Sequence, residues 1–224
     1  MELKQYLSEN PYPGRGIVLG KAGGKKIIAY FIMGRSENSR NRVFLEDAEG
    51  VRTKAFDESK MQDPSLIIYY PYRRVGDTHI ITNGDQTDTV FEHLKAGKTM
   101  TDALRTRTYE PDGPNFTPRI SGLLEGNRAI LSILKKDSEG TNRNFFEYDL
   151  EEGVCRIIHT YQENAEPLPS FMGEPRRFAL SGSLEEIADM IWTSLDAENK
   201  VSLLVKAISE DGDVETKIIN KNGR

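Results

Sequence analysis

Almost every apolar run in this 224-residue chain is short and stops at a tight-turn signal, so the chain must fold by strands that double back on their neighbours. Ile17 to Leu19 leads through Gly23-Gly24, set between lysines, into the return run Lys26 to Met33. Val43 to Leu45 and Val51 to Phe56 flank the turn Glu46 to Gly50, and Val201 to Ser209 and Val214 to Asn220 flank Glu210 to Asp213. His79 to Thr82 reads as a further strand. So does Leu66 to Tyr70, in a segment that opens at Asp63-Pro64 and stops at Pro71. Arg119 to Leu124, Ala129 to Leu134, Asn144 to Leu150 and Val154 to Tyr161 predict a four-stranded antiparallel meander.

Helical patterns are few. Thr89 to Ala96 places Val90, Phe91 and Leu94 on one face, with Thr87 or Asp88 as its cap. Thr99 to Asp102 is a capping box with Asp in the usual Glu place, opening a helix to about Arg107. Ser183 to Glu186 is a second box, followed by Leu184, Ile187, Ile191 and Leu195 at helical spacing. Doubly wound parallel sheets alternate strand and helix, which this chain does not. The expected fold is α+β, two mainly antiparallel sheets face to face with helices outside, as a single domain over residues 1–224.

Composition narrows the function classes. A net charge of −5 argues against a broad nucleic-acid surface, which needs many Lys and Arg contacts to phosphate. One cysteine, Cys155, excludes an intrachain disulfide, and its apolar run makes it a buried, inert thiol. His79, His93 and His159 have no metal-ligand spacing. Neither a membrane span nor a targeting segment is expected, and Met1 is no processed nucleophile, so a cytoplasmic protein is expected.

The polar residues gather in knots at strand ends. Gly34 to Arg42, GRSENSRNR, is either a solvated turn or a loop of fork-shaped donors for a phosphorylated small molecule. Tyr12 to Gly16 is a turn whose glycines, Gly14 and Gly16, are free to take left-handed dihedrals, but whose Arg15 no turn requires. Asn83 to Asp88 and the proline-stiffened Tyr109 to Arg119 are two further knots.

Taken in order, several short motifs resemble the archaeal-type inosine monophosphate cyclohydrolases. They are Gly14-Arg15, Arg35-Ser36 with Asn41-Arg42, the Tyr69 segment, Asn83-Gly84 with Thr87-Asp88, Tyr109-Glu110 with Asp112, Thr117 to Ile120, and Pro167 to Phe171 with Gly173 to Pro175. The resemblance spans roughly residues 12 to 200. It implies a four-layer αββα sandwich like that of the N-terminal nucleophile hydrolases, a homo-oligomer, and closure of the purine ring of 5-formamidoimidazole-4-carboxamide ribotide without cofactor or metal. Two departures stand out: Asp85-Gln86 replaces an expected Ser-His, and the Arg35 to Arg42 loop is about two residues longer. Gln86 cannot titrate, so no acid or base works from that position.

In such a reaction nucleophile and electrophile belong to one substrate, and the protein must hold them together and move protons. Glu110 is the candidate proton acceptor and Tyr69 the candidate donor to the formyl oxygen. Arg35 and Arg42, with Arg15 or Arg119 as a third donor, are the candidates for the phosphate. Arg119 has a rival structural role, pairing with Asp88 or Asp112. Asn83, Thr87 and Asp88 read either as contacts to base or ribose or as turn and cap residues. Two other readings stay open, a non-catalytic purine-nucleotide-binding relative and an amidohydrolase.

Overall fold

The computed structural model describes residues 2–61, 64 and 66–223; Met1 and Asp63, both named above, lie outside them. The run Lys26 to Met33 has no polar interruption, which demands burial on both faces, and it forms the central strand of the first sheet. This strand, β2 (Lys25–Met33), follows β1 (Arg15–Ala22) through Gly23 and Gly24, which both take positive φ. Ile27, Ala29, Phe31 and Met33 face one side; Ile28, Tyr30 and Ile32 face the other.

The remaining strands are β3 (Arg42–Asp47), β4 (Gly50–Ala55), β5 (Tyr72–Val75), β6 (Thr78–Thr82), β7 (Arg119–Glu125), β8 (Arg128–Asp137), β9 (Gly140–Asp149), β10 (Val154–His159), β11 (Arg176–Ala179), β12 (Lys200–Ile208) and β13 (Val214–Asn220). The first sheet runs β11-β10-β1-β2-β12-β13 and the second β3-β4-β5-β6-β7-β8-β9, and the strands within each pair antiparallel. Their facing sides share a core that includes Ile17, Ile28, Phe44, Ile81, Ile120, Leu131 and Leu204.

The helices α1 (Leu3–Glu9), α2 (Glu37–Arg40), α3 (Gln86–Lys95), α4 (Met100–Arg105) and α5 (Leu184–Ser194) are short. Leu3 and Leu7 of α1 and Leu184, Ile187, Ala188 and Ile191 of α5 pack on the outer face of the first sheet. Val90 of α3 and Met100, Ala103 and Leu104 of α4 cover the outer face of the second. The capping boxes of Thr99 with Asp102 and Ser183 with Glu186 are both present. No helix among the described residues is long and apolar enough to cross a membrane.

Four expectations are corrected. Leu66 to Tyr70 is not a strand: Ile67 and Ile68 turn back onto the Pro64 carbonyl, and Thr53 of β4 holds the segment, its hydroxyl bonding the backbone at Ile67 and Tyr69 and its N–H donating to the Tyr69 carbonyl at 2.9 Å. Val154 to Tyr161 leaves the meander, because β10 pairs with β1 and β11 in the other sheet. The helix after Asn83-Gly84 starts at Gln86, so Thr87 and Asp88 lie in its first turn and neither caps it. Gly14 takes a positive φ, but Gly16 does not; it sits inside β1, where a Cβ would lie 2.2 Å from the Phe31 ring.

Candidate active site

The strands deliver charged residues to one end of the sandwich. Arg15 begins β1 on the side of Ile17 and Leu19, and Arg42 begins β3 on the side of Phe44, so both point between the sheets. Arg42 is fully buried. Its Nε donates to the Ser39 carbonyl at 2.9 Å, while Nη1 and Nη2 meet no partner among the described residues. The Nε of Arg15 is also buried without a partner among the described residues. Burial, and then the neighbouring Arg15, lower the pKa of Arg42. For Arg15 burial is outweighed by Tyr161, Glu110, Tyr12 and Tyr69, and its pKa rises.

Glu110 faces these cations. The knot that carries it closes on itself: Glu110 N–H donates to the Thr117 carbonyl at 2.9 Å, and Asp112 accepts from both the backbone N–H and the hydroxyl of Thr117. The side chain is only 2% exposed. Burial pushes its pKa from 4.5 up to about 7, against the pull of Arg15 and Arg119; Asp112 adds to the rise and Arg42 opposes it. The Tyr69 hydroxyl meets that of Tyr30 at 2.8 Å, and burial raises both phenols.

Arg119, at the start of β7, completes the cluster. Its Nη1 donates to Asp85 Oδ1 and to Gln86 Oε1, each at 2.7 Å. Neither Asp88 nor Asp112 is its partner, because Asp88 pairs with Arg73 at 2.8 Å and Asp112 is taken by Thr117. Gly84 makes room here: a Cβ would lie 2.7 Å from both Arg119 Nη1 and Gln86 Oε1, and 3.4 Å from Glu110 Oε1. Arg119 and Glu110 therefore crowd the same corner.

The other expected residues fall outside this cluster or are spent within the fold. Arg35 stacks on Tyr12, 5.0 Å from the ring centre, and reaches Asn164, the Ala165 carbonyl and Glu166 at the rim. Asn83 donates to the Pro118 carbonyl and accepts from Gln86 Nε2 and Ile120 N–H, and the Thr87 hydroxyl bonds Thr82 and the Gly84 carbonyl. Asp88 lies on the exposed side of α3. Asn83 and Thr87 thus serve the turn and the start of α3, and Asp88 pairs with Arg73 of β5.

Sequence reading gave no site role to Tyr12, Tyr30 and Tyr161, and noted Asp85 only as a departure from the family pattern. A tyrosine in an apolar run looks like core whether or not its hydroxyl faces a site. Tyr161 donates to or accepts from Thr117 at 2.6 Å and stacks on Tyr12. Only the Thr117-Pro-Arg119 triplet hinted at this wall. No group of three or more His, Cys, Asp or Glu fit to hold a metal occurs among the described residues. A cavity of about 690 Å³ is lined by Tyr6, Asn10, Asn164 and Arg176 among others, and none of the cluster residues lines it. The cluster thus combines buried guanidinium groups short of acceptors with a carboxyl that titrates near neutrality. That combination can hold an anion and shuttle a proton.

Comparison with known proteins points the same way. The IMP cyclohydrolase of Methanocaldococcus jannaschii is 27% identical over 207 residues, covering 90% of this chain and 96% of that protein. The IMP cyclohydrolase of Methanocella arvoryzae is 30% identical over 156 residues, 68% of this chain and 75% of its own length. That of Methanococcus maripaludis strain C6 is 33% identical over 156 residues, 67% and 75% of the two chains. The family described as IMP cyclohydrolase-like protein matches residues 12–212, and the chain belongs to it.

Proposed function

We propose that this protein is an inosine monophosphate cyclohydrolase: it closes the purine ring of 5-formamidoimidazole-4-carboxamide ribotide and releases water. Glu110 carries this reading, a buried carboxyl with a pKa near the working pH beside guanidinium groups that lack acceptors. The carboxamide nitrogen attacks the formyl carbon, and Glu110 accepts the N–H proton as the C–N bond forms. Tyr69 donates to the formyl oxygen, whose charge grows in the transition state, and Tyr30 holds the Tyr69 hydroxyl. The carbinol oxygen then leaves as water with two protons, one from Tyr69 and the one that Glu110 took from the carboxamide nitrogen, while the formamide N–H proton released as the ring C=N bond forms restores Tyr69. No net proton is gained or lost.

Arg42 and Arg15 hold the phosphate, since a dianion offsets the uncompensated positive charge that burial there would otherwise disfavour. Arg35 closes the rim. Asn83, Thr87 and Asp88 are engaged by bonds within the fold and are given no part in holding the nucleotide. The sandwich is of the N-terminal nucleophile hydrolase kind, a single cytoplasmic domain that assembles as a homo-oligomer. It works on a small purine ribonucleotide without cofactor.

Incubation with the formamido ribotide, followed by absorbance of inosine monophosphate, tests the reading. Glu110→Gln should lower turnover roughly a hundredfold or more while nucleotide affinity stays within a few fold. Product binding without turnover in the native chain would make it a nucleotide-binding relative instead.

A further inference from the structure

Asp85 has no place in the chemistry above, yet each of its oxygens accepts from a guanidinium group. Its Oδ1 accepts from Arg119 Nη1 at 2.7 Å and its Oδ2 from Arg107 Nη2 at 2.5 Å. Burial pushes its pKa up, but the two guanidinium groups outweigh that and hold it below its usual value. The second acceptor on Arg119 is equally fixed. Gln86 Nε2 donates to Asn83 Oδ1 at 2.9 Å and to the Ile120 carbonyl at 3.2 Å, so its amide can only turn Oε1 toward Arg119. Arg107 is held in turn, since Arg143 Nη2 donates to its carbonyl at 2.7 Å. A chain of contacts therefore runs from β9 through Arg107 and Asp85 to the Arg119 guanidinium, at the corner that Glu110 occupies.

We propose that Asp85 is a positioning residue: it tethers the Arg119 guanidinium beside Glu110 and, by sharing its own charge with Arg119, limits the positive field that Glu110 feels. The other groups facing Glu110 are Arg15 from β1, Arg42 from β3, Tyr69 from the 66–70 segment and Asp112 from its own loop. None of them bonds to Asp85. The influence of Asp85 on Glu110 therefore passes through Arg119. Removing the Asp85 charge leaves Arg119 less neutralised, and Glu110 gives up its proton at lower pH. As a base in turnover, which rests on the proposed function, Glu110 then becomes active at lower pH.

The test reads Glu110 directly, by carbon-13 carboxyl resonance titration of the ligand-free full chain, with the signal assigned by its loss in Glu110→Gln. Asp85→Asn should lower the midpoint by about half a pH unit or more, and by under about 0.2 unit once Arg119→Met is also present. Arg107→Gln, a second variant that keeps Asp85, should move the midpoint upward. Where the chain turns over the ribotide, the acid limb of kcat/KM should follow the same shifts, with KM nearly unchanged. An unmoved midpoint in Asp85→Asn, or an equal shift with and without Arg119, overturns the tether. A shift without turnover in the native chain supports the tether and counts against the cyclohydrolase reading alone.

Discussion

Two buried cations lie between the sheets, toward opposite ends, and they are treated in opposite ways. Lys206 of β12, 2% exposed, has all its donors answered: Glu46 at 2.6 Å, Thr216 at 2.7 Å, and the Tyr72 ring 4.4 Å away. Arg42 of β3 is more deeply buried and has two nitrogens unanswered among the described residues. Burial lowers the pKa of both, yet only for Lys206 does a bonded carboxylate, Glu46, pull back. Burial of charge is therefore no mark of a binding site by itself. What separates the two ends is whether the protein completes the hydrogen bonds of the cation or leaves them for something else.

This contrast can be broken most forcefully through pH. The folded chain holds the Glu110 proton up to about pH 7, and the unfolded chain loses it near 4.5. The contribution of Glu110 to stability should fall as pH rises through that window, by about 3 kcal/mol in all, and Glu110→Gln should remove that contribution. His79 and His159, which burial holds down at about 4, act with the other sign: their contribution is full above 6.5 and lost as pH falls toward 4. Urea unfolding between pH 4 and 7 should therefore give a flatter profile for the native chain than for Glu110→Gln. Parallel profiles would mean that Glu110 is not held as a buried acid.

Arg42→Met should weaken inosine monophosphate binding by about 2 kcal/mol or more in calorimetry, yet leave the ligand-free urea midpoint unchanged or higher. A large loss of ligand-free stability would put Arg42 in the same structural class as Lys206. Glu46→Ala is the converse variant. It should cost about 1–2 kcal/mol of stability, reduced because Glu46 is half exposed and water can replace it, with no change in nucleotide affinity. The smallest effect belongs to Tyr30→Phe, which frees the Tyr69 hydroxyl; about 1 kcal/mol, a roughly fivefold lower kcat, is expected with unchanged affinity. A native kcat would take Tyr30 out of the support for Tyr69.

Where a signal is local, the sequence read correctly. The Gly23-Gly24 turn, the doubly buried run to Met33 and the two capping boxes each depend on a few adjacent residues whose backbone preferences suffice. The segment Leu66 to Tyr70 was misread because an apolar aromatic run carries no sign that its start will turn back on Pro64 and that a threonine hydroxyl, 14 and 16 residues back, will bond its backbone. Likewise nothing local tells β10 to change sheets; its partner β1 lies far away in the chain.

The site divides along the same line. Fork-shaped donors are visible as letters, but it was the family resemblance that singled out Glu110 and Tyr69, alongside Arg35, Arg42, Arg15 and Arg119, as candidates. Only the packed sandwich decided which arginines go unanswered, that Arg119 belongs to Asp85 and Gln86, and that Asn83, Thr87 and Asp88 spend their bonds elsewhere. The physical reason is that hydrogen-bond satisfaction and desolvation depend on every group that converges on a point. Here those groups arrive from β1, β3, β7 and two loops that are distant in the chain.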